Sequence, residues 1–308
     1  MSIAPSLAAS APRSRFNWLP LEIALFCLLW SFAFVAGKIG VTDCPPLILL
    51  AGRFSLAGIL ILGTSAFGRS GWQLSWREAA IFAILGVANN ALYLGLGYTG
   101  LKSVSAGLGG LIVSANPVFT AALAALFLGE VLTWRKVAGL LLGIAGVGLI
   151  VSHRMSIGTD SPHGILFTLA SLASLVTGTV LFKLFAPKGS LWIGNGIQNL
   201  AAGIVLTPIA LTFADVSEIV PSMRLVLAFA FLTLGGSILG YFIWFHLLKV
   251  CGATAASAYH FLMPPLGMLF AWLVLGEHLT FRDLLGIIPV ALGIYLVTRP
   301  AAPKWSAS

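Results

Sequence analysis

A few short stretches of this 308-residue chain carry side chains that could handle a ligand: Asn89 and Asn90 with Tyr93, Ser114 and Asn116 ahead of Pro117, Ser171 with Ser174, Tyr241, and Tyr259 with His260 ahead of Pro264 and Pro265. Apart from His260 these are uncharged groups, amides, hydroxyls and phenols, suited to reversible hydrogen bonding rather than bond breaking. No G-x-S-x-G, no H-E-x-x-H and no pair of mid-segment acids accompanies them, so an enzyme is not expected. The prolines matter as much as the polar groups. Proline lacks a backbone donor and clashes with the carbonyl four residues back, which strips the helical partner from the carbonyls of Val113, His260 and Phe261.

These residues lie inside long apolar runs. The chain is 59% hydrophobic and only 8% charged, far from the soluble norm of about 45–50% apolar and about 25% charged. Runs near 20–40, 46–67, 78–99, 104–127, 134–152, 164–185, 190–213, 225–248, 253–275 and 281–298 suit spanning helices, since about 20 residues of helix cross the hydrocarbon core. An all-α integral membrane protein with ten transmembrane helices is expected, and these runs are too long for barrel strands. The first run is too long for a secretory h-region and is read as a retained helix. Cys27, Cys44 and Cys251 form no C-x-x-C pair and suggest neither a disulfide framework nor a metal site; no cofactor is expected.

A net charge of +8 invites nucleic acid as a partner, but no basic run or basic–aromatic groove pattern supports that. Topology explains the charge better. With the N-terminus inside, eleven Lys and Arg residues fall in cytoplasmic segments and five, Lys38, Lys102, Arg154, Arg224 and Arg282, fall outside, which places both termini in the cytoplasm.

The stretch FLGEVLTWRK at 127–136 returns as VLGEHLTFRD at 274–283, and at the same shift of 147 residues Lys102 falls on Lys249, Pro117 on Pro264, Gly139 on Gly286 and Gly146 on Gly293. The chain therefore repeats one unit. A cytoplasmic tail (1–19) precedes a first copy of five helices (20–152); a linker (153–163) leads to a second copy (164–298) and a short tail (299–308). Five is odd, so the second copy enters from the opposite side and the copies form an inverted pair. Gly129 and Gly276 are expected to end the fourth and ninth helices and Thr133 and Thr280 to cap the next, so the repeated stretch is read as a scaffold hairpin, with Gly139, Gly146 and their partners letting its two helices close.

The residues LLWSFAFVAGKIG and PPLILLAGRFSLAGILIL of the first copy, with ANPVFTAALAALFLGE, resemble the EamA repeat of the drug/metabolite transporter superfamily, in which Trp30, Lys38, Pro46, Arg53, Pro117, Gly129 and Glu130 occupy motif positions. The second copy is similar from Lys183 onward, but Gln198 stands near where Arg53 would fall and Phe281 replaces Trp134. The resemblance covers the chain between the tails. It implies two inverted five-helix EamA repeats in a multi-pass protein of the bacterial inner membrane that exports small metabolites; ten-helix bacterial members include exporters of amino acids, aromatic ones among them.

A broken backbone beside polar side chains at mid-membrane depth is what a carrier's binding site requires. The candidate substrate-binding residues are thus Asn89, Asn90, Tyr93, Ser114, Asn116, Ser171, Ser174, Tyr241, Tyr259 and His260, flanked by the breaks at Pro117, Pro264 and Pro265. Each has a plainer alternative: the prolines as packing kinks, the asparagines as interhelical hydrogen bonds, and Ser171, Ser174 and Gly178 as a small-residue stripe for close packing. Trp244 and His246 approach the cytoplasmic end, where His246 suits an interfacial anchor. The acids lie at or near segment ends, which argues for a facilitator or exchanger; His260 and Glu22 remain for proton coupling. Arg53 is a buried permanent charge that either snorkels and pairs with carbonyls or attracts a substrate carboxylate. The expected partners are a small-molecule substrate, an amino acid with an aromatic or hydrophobic side chain being favoured, and the lipid bilayer; a monomer suffices to enclose a path. Proton-coupled efflux of drugs or other metabolites is the alternative, and a passive channel a further one.

Overall fold

The computed structural model describes residues 18–66, 74–104, 112–151, 161–185, 187–276 and 281–299. Its helices follow the apolar runs in order: the first Leu19–Asp43, the second Pro46–Ala66, the third Trp76–Leu101, the fourth Ile112–Leu128, the fifth Trp134–Val151, the sixth Pro162–Phe185, the seventh Leu191–Phe213, the eighth Met223–Cys251, the ninth Ala253–Leu275 and the tenth Phe281–Thr298. Seven of these are by themselves long and apolar enough to cross a bilayer; the fourth, fifth and tenth are shorter. Lipid offers backbone groups no partners, so helices that satisfy their own are the expected outcome. Where chain enters helix, polar side chains take over the free amides: Ser75 and Glu78 form a reciprocal capping box, and Ser190 and Ser222 accept from Ile193 and Leu225.

The repeat is visible in backbone geometry. Gly129 (φ 66°) and Gly276 (φ 69°) are left-handed caps whose N–H groups donate to the carbonyls of Ala124 and Ala271, positions 147 residues apart. Ala115 and Leu262, also 147 apart, hold matching N-cap conformations (φ −76° at both) immediately before the broken segments resume as helix. Thr280 and Glu277 of the second hairpin lie outside the described residues.

Gly139 and Gly146 act differently from the expectation that they close their own hairpin. A Cβ on Gly139 would meet the carbonyl oxygen of Gly293 at 2.7 Å, and one on Gly146 would meet that of Gly286 at 2.8 Å. Each glycine therefore touches the repeat partner of the other. Such crosswise contact needs the fifth and tenth helices to cross antiparallel about a two-fold axis between them, which is the inverted relation seen at atomic contact. Only glycine lets two helix backbones meet this closely.

The carboxylates at the helix ends bind the halves together. Glu22 contacts His246 Nδ1 at 2.7 Å, Glu78 Oε1 accepts from the Gly189 amide at 2.9 Å, and Glu130 accepts from the amides of Ala253 at 2.9 Å and Thr254 at 3.3 Å. All three lie at the end assigned to the cytoplasm. At the opposite end Asp43 takes Arg224 through Nε at 2.6 Å and also through Nη2, with Ser222 as a further donor. Glu130 is thus more than hairpin scaffold: a first-copy side chain caps the helix that begins the second copy's broken span. Sequence spacing along one repeat could not reveal contacts made between repeats.

Candidate substrate site at paired helix distortions

The third and eighth helices widen to π geometry over Val87–Leu92 and Leu232–Gly240, and the first segment shifted by 147 residues falls inside the second. A π turn leaves carbonyls without their α-helical donors, and such turns gather at functional sites. Here side chains of the second copy supply the donors. Ser174 Oγ donates to the Ala88 carbonyl at 2.9 Å, Tyr241 Oη to that of Asn89 at 2.9 Å, and Ser171 Oγ to that of Tyr93 at 2.6 Å. On the eighth helix, Asn195 Nδ2 donates to the carbonyls of Ser237 (3.1 Å) and Ile238 (2.9 Å), and Asn199 Nδ2 to that of Ser237 (3.2 Å).

This bracing accounts for what the predicted site residues do with their own polar atoms. The hydroxyl protons of Ser171, Ser174 and Tyr241 are committed to backbone carbonyls, and they hold the third helix open. The side chains thereby presented are Asn89 and Asn90, both fully buried, whose amide nitrogens and oxygens have no hydrogen-bond partner among the described residues. Leaving such a group unpaired costs about 1–3 kcal/mol, so four free amide atoms in one turn mark a surface fitted to a polar guest. Tyr93 is buried beside them.

A ring cluster adjoins this surface through Tyr241. Trp30 lies 4.9 Å from Tyr241, Phe26 stacks on Trp244 at 5.5 Å, and His260 stands edge-on to Trp244 at 4.8 Å and to Trp30 at 5.9 Å, all between ring centroids. The Trp244 Nε1 donor and the His260 Nε2 atom are both buried and unpaired. His260 Nδ1 lies 3.1 Å from the Ser257 carbonyl; a carbonyl only accepts, so Nδ1 carries a proton, and in the neutral ring Nε2 is an acceptor. Trp244, expected near the cytoplasmic end, is fully buried in this cluster, whereas His246 is partly exposed and bonded to Glu22. Glu22 therefore sits in a tie between helix ends, one helical turn before Phe26 of the ring cluster.

The second break is a 3-10 turn, Tyr259–Leu262, after which Pro264 falls in the opening turn of Met263–Leu275. The His260 carbonyl regains a donor there, the Met263 amide, so the turn repairs one of the groups that the proline strips. Pro117 likewise opens Asn116–Leu128. Asn116 is fully buried; its Oδ1 accepts from Thr120 Oγ1 at 3.0 Å and its Nδ2 is unpaired. Ser114 and Tyr259 are buried as well. Asn116 and Ser114 stand apart from the π turns on the fourth helix, which joins the ninth in a cluster that includes Ala121, Ala258 and Phe261. Among the described residues no group of His, Cys, Asp or Glu is arranged for a metal, and the three cysteines are free.

Sequence reading missed the rings of Phe26, Trp30 and Trp244 as a group, the bracing by Asn195 and Asn199, and the role of Gly178. That glycine faces Asn89: a Cβ there would overlap the Asn89 amide. Gly178→Ala is therefore expected to displace the flexible amide at little cost in stability while cutting transport at least tenfold. In Asn89→Ala the same change should add nothing, and a double-mutant cycle on uptake rates checks this. An additive loss would show that Gly178 acts elsewhere.

The chain matches known proteins along nearly its whole length. It is 30% identical to the transporter YvbV of Bacillus subtilis, over 93% of this chain and 94% of that one. It is 28% identical to a transporter of Archaeoglobus fulgidus, covering 92% and 99%, and 28% identical to the inner membrane transporter YedA of Escherichia coli K12, covering 91% of each. A crystal structure superposes with a TM-score of 0.77 at 20% identity, over 90% of this chain and 95% of that one, a likeness of fold. Residues 18–152 and 162–299 each match one family, and with the inverted repeat and the buried polar centre already described, the chain belongs to the EamA-like transporter family and is a membrane transporter rather than an enzyme.

Proposed function

We propose that this transporter exports amino acids with aromatic or hydrophobic side chains across the bacterial inner membrane, by alternating access of its two halves around the paired distortions. One observation carries the reading: unpaired buried amides at Asn89 and Asn90 adjoin a wall of rings formed by Trp30, Tyr241, Trp244 and His260. A flat or branched apolar side chain suits the rings, and an amino-acid head group suits the amides. Among the described residues the carboxylates lie at helix ends, in contacts between the halves or in local caps. That arrangement favours a facilitator or exchanger over a carrier coupled through an intramembrane acid. The localisation accords with YedA, which is named as an inner membrane transporter.

Counterflow in proteoliposomes tests the reading. Vesicles preloaded with single amino acids should accumulate labelled tryptophan, phenylalanine or leucine without an imposed ion gradient, and uptake should saturate. Asn90→Ala should lower uptake at least tenfold through loss of the unpaired amide at the third helix's π turn. Uptake that appears only with a proton gradient, and that His260→Gln abolishes, would replace this reading with proton-coupled efflux. Silence under both conditions by monodisperse protein would remove amino acids as the substrate.

A further inference from the structure

Arg53 is 4% exposed, near the middle of the second helix. Its guanidinium keeps its charge in proteins, and an unpaired charge taken out of water costs several kcal/mol. Sequence left two options open, snorkelling with carbonyl partners or service to an anion. The side chain stays inside the bundle. Among the described residues its guanidinium makes one hydrogen bond, from Nε to Ser237 Oγ at 3.2 Å, and its Cζ lies 4.7 Å from the Phe54 ring centre. The phenols of Tyr93, Tyr98 and Tyr241 are its titratable neighbours. Among the described residues no carboxylate and no carbonyl hydrogen-bonds to it.

The bond that does form is informative. Ser237 belongs to the eighth helix's π turn, and its carbonyl is held by the amides of Asn195 and Asn199. Arg53 is thus anchored through Nε to a braced unit, and the opposite edge of the fork, Nη1 and Nη2, remains for a second partner. Two parallel N–H groups on one edge match the two oxygens of a carboxylate. Three residues beyond Ser237, a Cβ on Gly240 would stand 3.7 Å from the Trp30 ring, and Tyr241 follows. The ring wall therefore begins about one turn along the eighth helix from the residue that anchors the guanidinium. Asn89 and Asn90 close the same centre with unpaired amides, tied in through the Tyr241–Asn89 bond.

We infer that Arg53 is the carboxylate-recognising residue of this transporter, and that its substrates are small organic acids or zwitterions whose carboxylate pairs with the Nη edge while an apolar group meets Trp30 and Tyr241. This rests on the binding site proposed above and narrows its substrate class: uncharged and purely cationic molecules bind more weakly because they leave the buried cation unpaired.

Matched ligand pairs test it by calorimetry on the purified full chain in nanodiscs: tryptophan with tryptophanamide, phenylalanine with phenylalaninamide, and indole-3-acetate with indole-3-acetamide. Each carboxylate should bind at least tenfold tighter than its amide. Arg53→Gln should remove that difference by weakening carboxylate binding while the amides bind no more weakly than to the wild-type chain, a split that mere loss of structure would not produce. Arg53→Lys, which keeps charge without the fork, should retain part of it. Equal affinity within pairs for the wild-type chain, a difference that persists in Arg53→Gln, or no binding by any carboxylate overturns the inference. Binding of indole-3-acetate without tryptophan or phenylalanine sustains Arg53 and removes amino acids as the substrate.

Discussion

Gly146→Val is expected to leave little or no folded transporter, whereas Gly148→Val, two residues along the same helix, should be silent. A Cβ at 146 meets the Gly286 carbonyl oxygen at 2.8 Å and the Val290 amide nitrogen at 2.9 Å. Both are backbone atoms of the tenth helix and cannot turn aside as a side chain tip could. Overpacking against movable neighbours costs about 1–3 kcal/mol; here the two helices must separate along the crossing, which also breaks the reciprocal contacts of Gly139 with Gly293. Against a net stability of roughly 5–15 kcal/mol that loss is decisive. Nothing lies within 4 Å of a Cβ on Gly148, so the control changes bulk and propensity without a clash. Size-exclusion profiles and thermal midpoints of detergent-solubilised protein give the readout. The inverted repeat adds a demand: Gly293→Val must fail as Gly146→Val does, since it meets the Gly139 carbonyl in the same way. A well-behaved Gly146→Val protein would refute this packing.

Glu130→Ala is expected to open the cytoplasmic side and to lower transport at least tenfold. The carboxylate caps two free amides at the start of the ninth helix, just after Gly252, whose φ of 84° turns the chain into that helix. An anion is favoured at a helix N-terminus, and hydrogen bonds to a charged group contribute about 1.5–3 kcal/mol. The site is partly exposed, so the lower end applies, which still moves a two-state equilibrium on the order of tenfold. The arrangement described here loses this tie, and one in which the cytoplasmic ends of the fourth and ninth helices part would have none to lose, so the population is expected to shift toward opening. Cys251, two residues before the capped amide and partly buried, reports the change. In a Cys27→Ala/Cys44→Ala background its labelling by a membrane-impermeant maleimide from inside-out vesicles should accelerate, and Glu130→Gln should fall between. Unchanged labelling and transport would return Glu130 to a local hairpin role.

The two predictions divide between what was legible in the sequence and what was not. The ten runs, the repeat, the glycine caps at 129 and 276 and the breaks at Pro117 and Pro264 depend on local chemistry, because hydropathy, missing amides and positive φ act within a few residues of chain. That at least one of Asn89 and Asn90 points inward was also legible, since two adjacent asparagines in an apolar run cannot both face lipid cheaply; the structure buries both. The π turns were not. Their carbonyls are satisfied by Ser171, Ser174, Tyr241, Asn195 and Asn199, from 38 to 152 residues away in sequence, and no window of sequence registers a donor supplied from another helix. The same holds for the rings of Phe26, Trp30, Trp244 and His260, whose spacing signals membrane helices but not a shared wall. Sequence by itself determined the membrane, the doubling and its inversion, because periodicity and apolar length are properties of one strand of chain. Tertiary structure alone decided that Gly139 serves the crossing rather than its hairpin, that Glu130 reaches the other half, and that Arg53 is buried without an acid, because each depends on which atoms the opposite repeat brings within 3–4 Å.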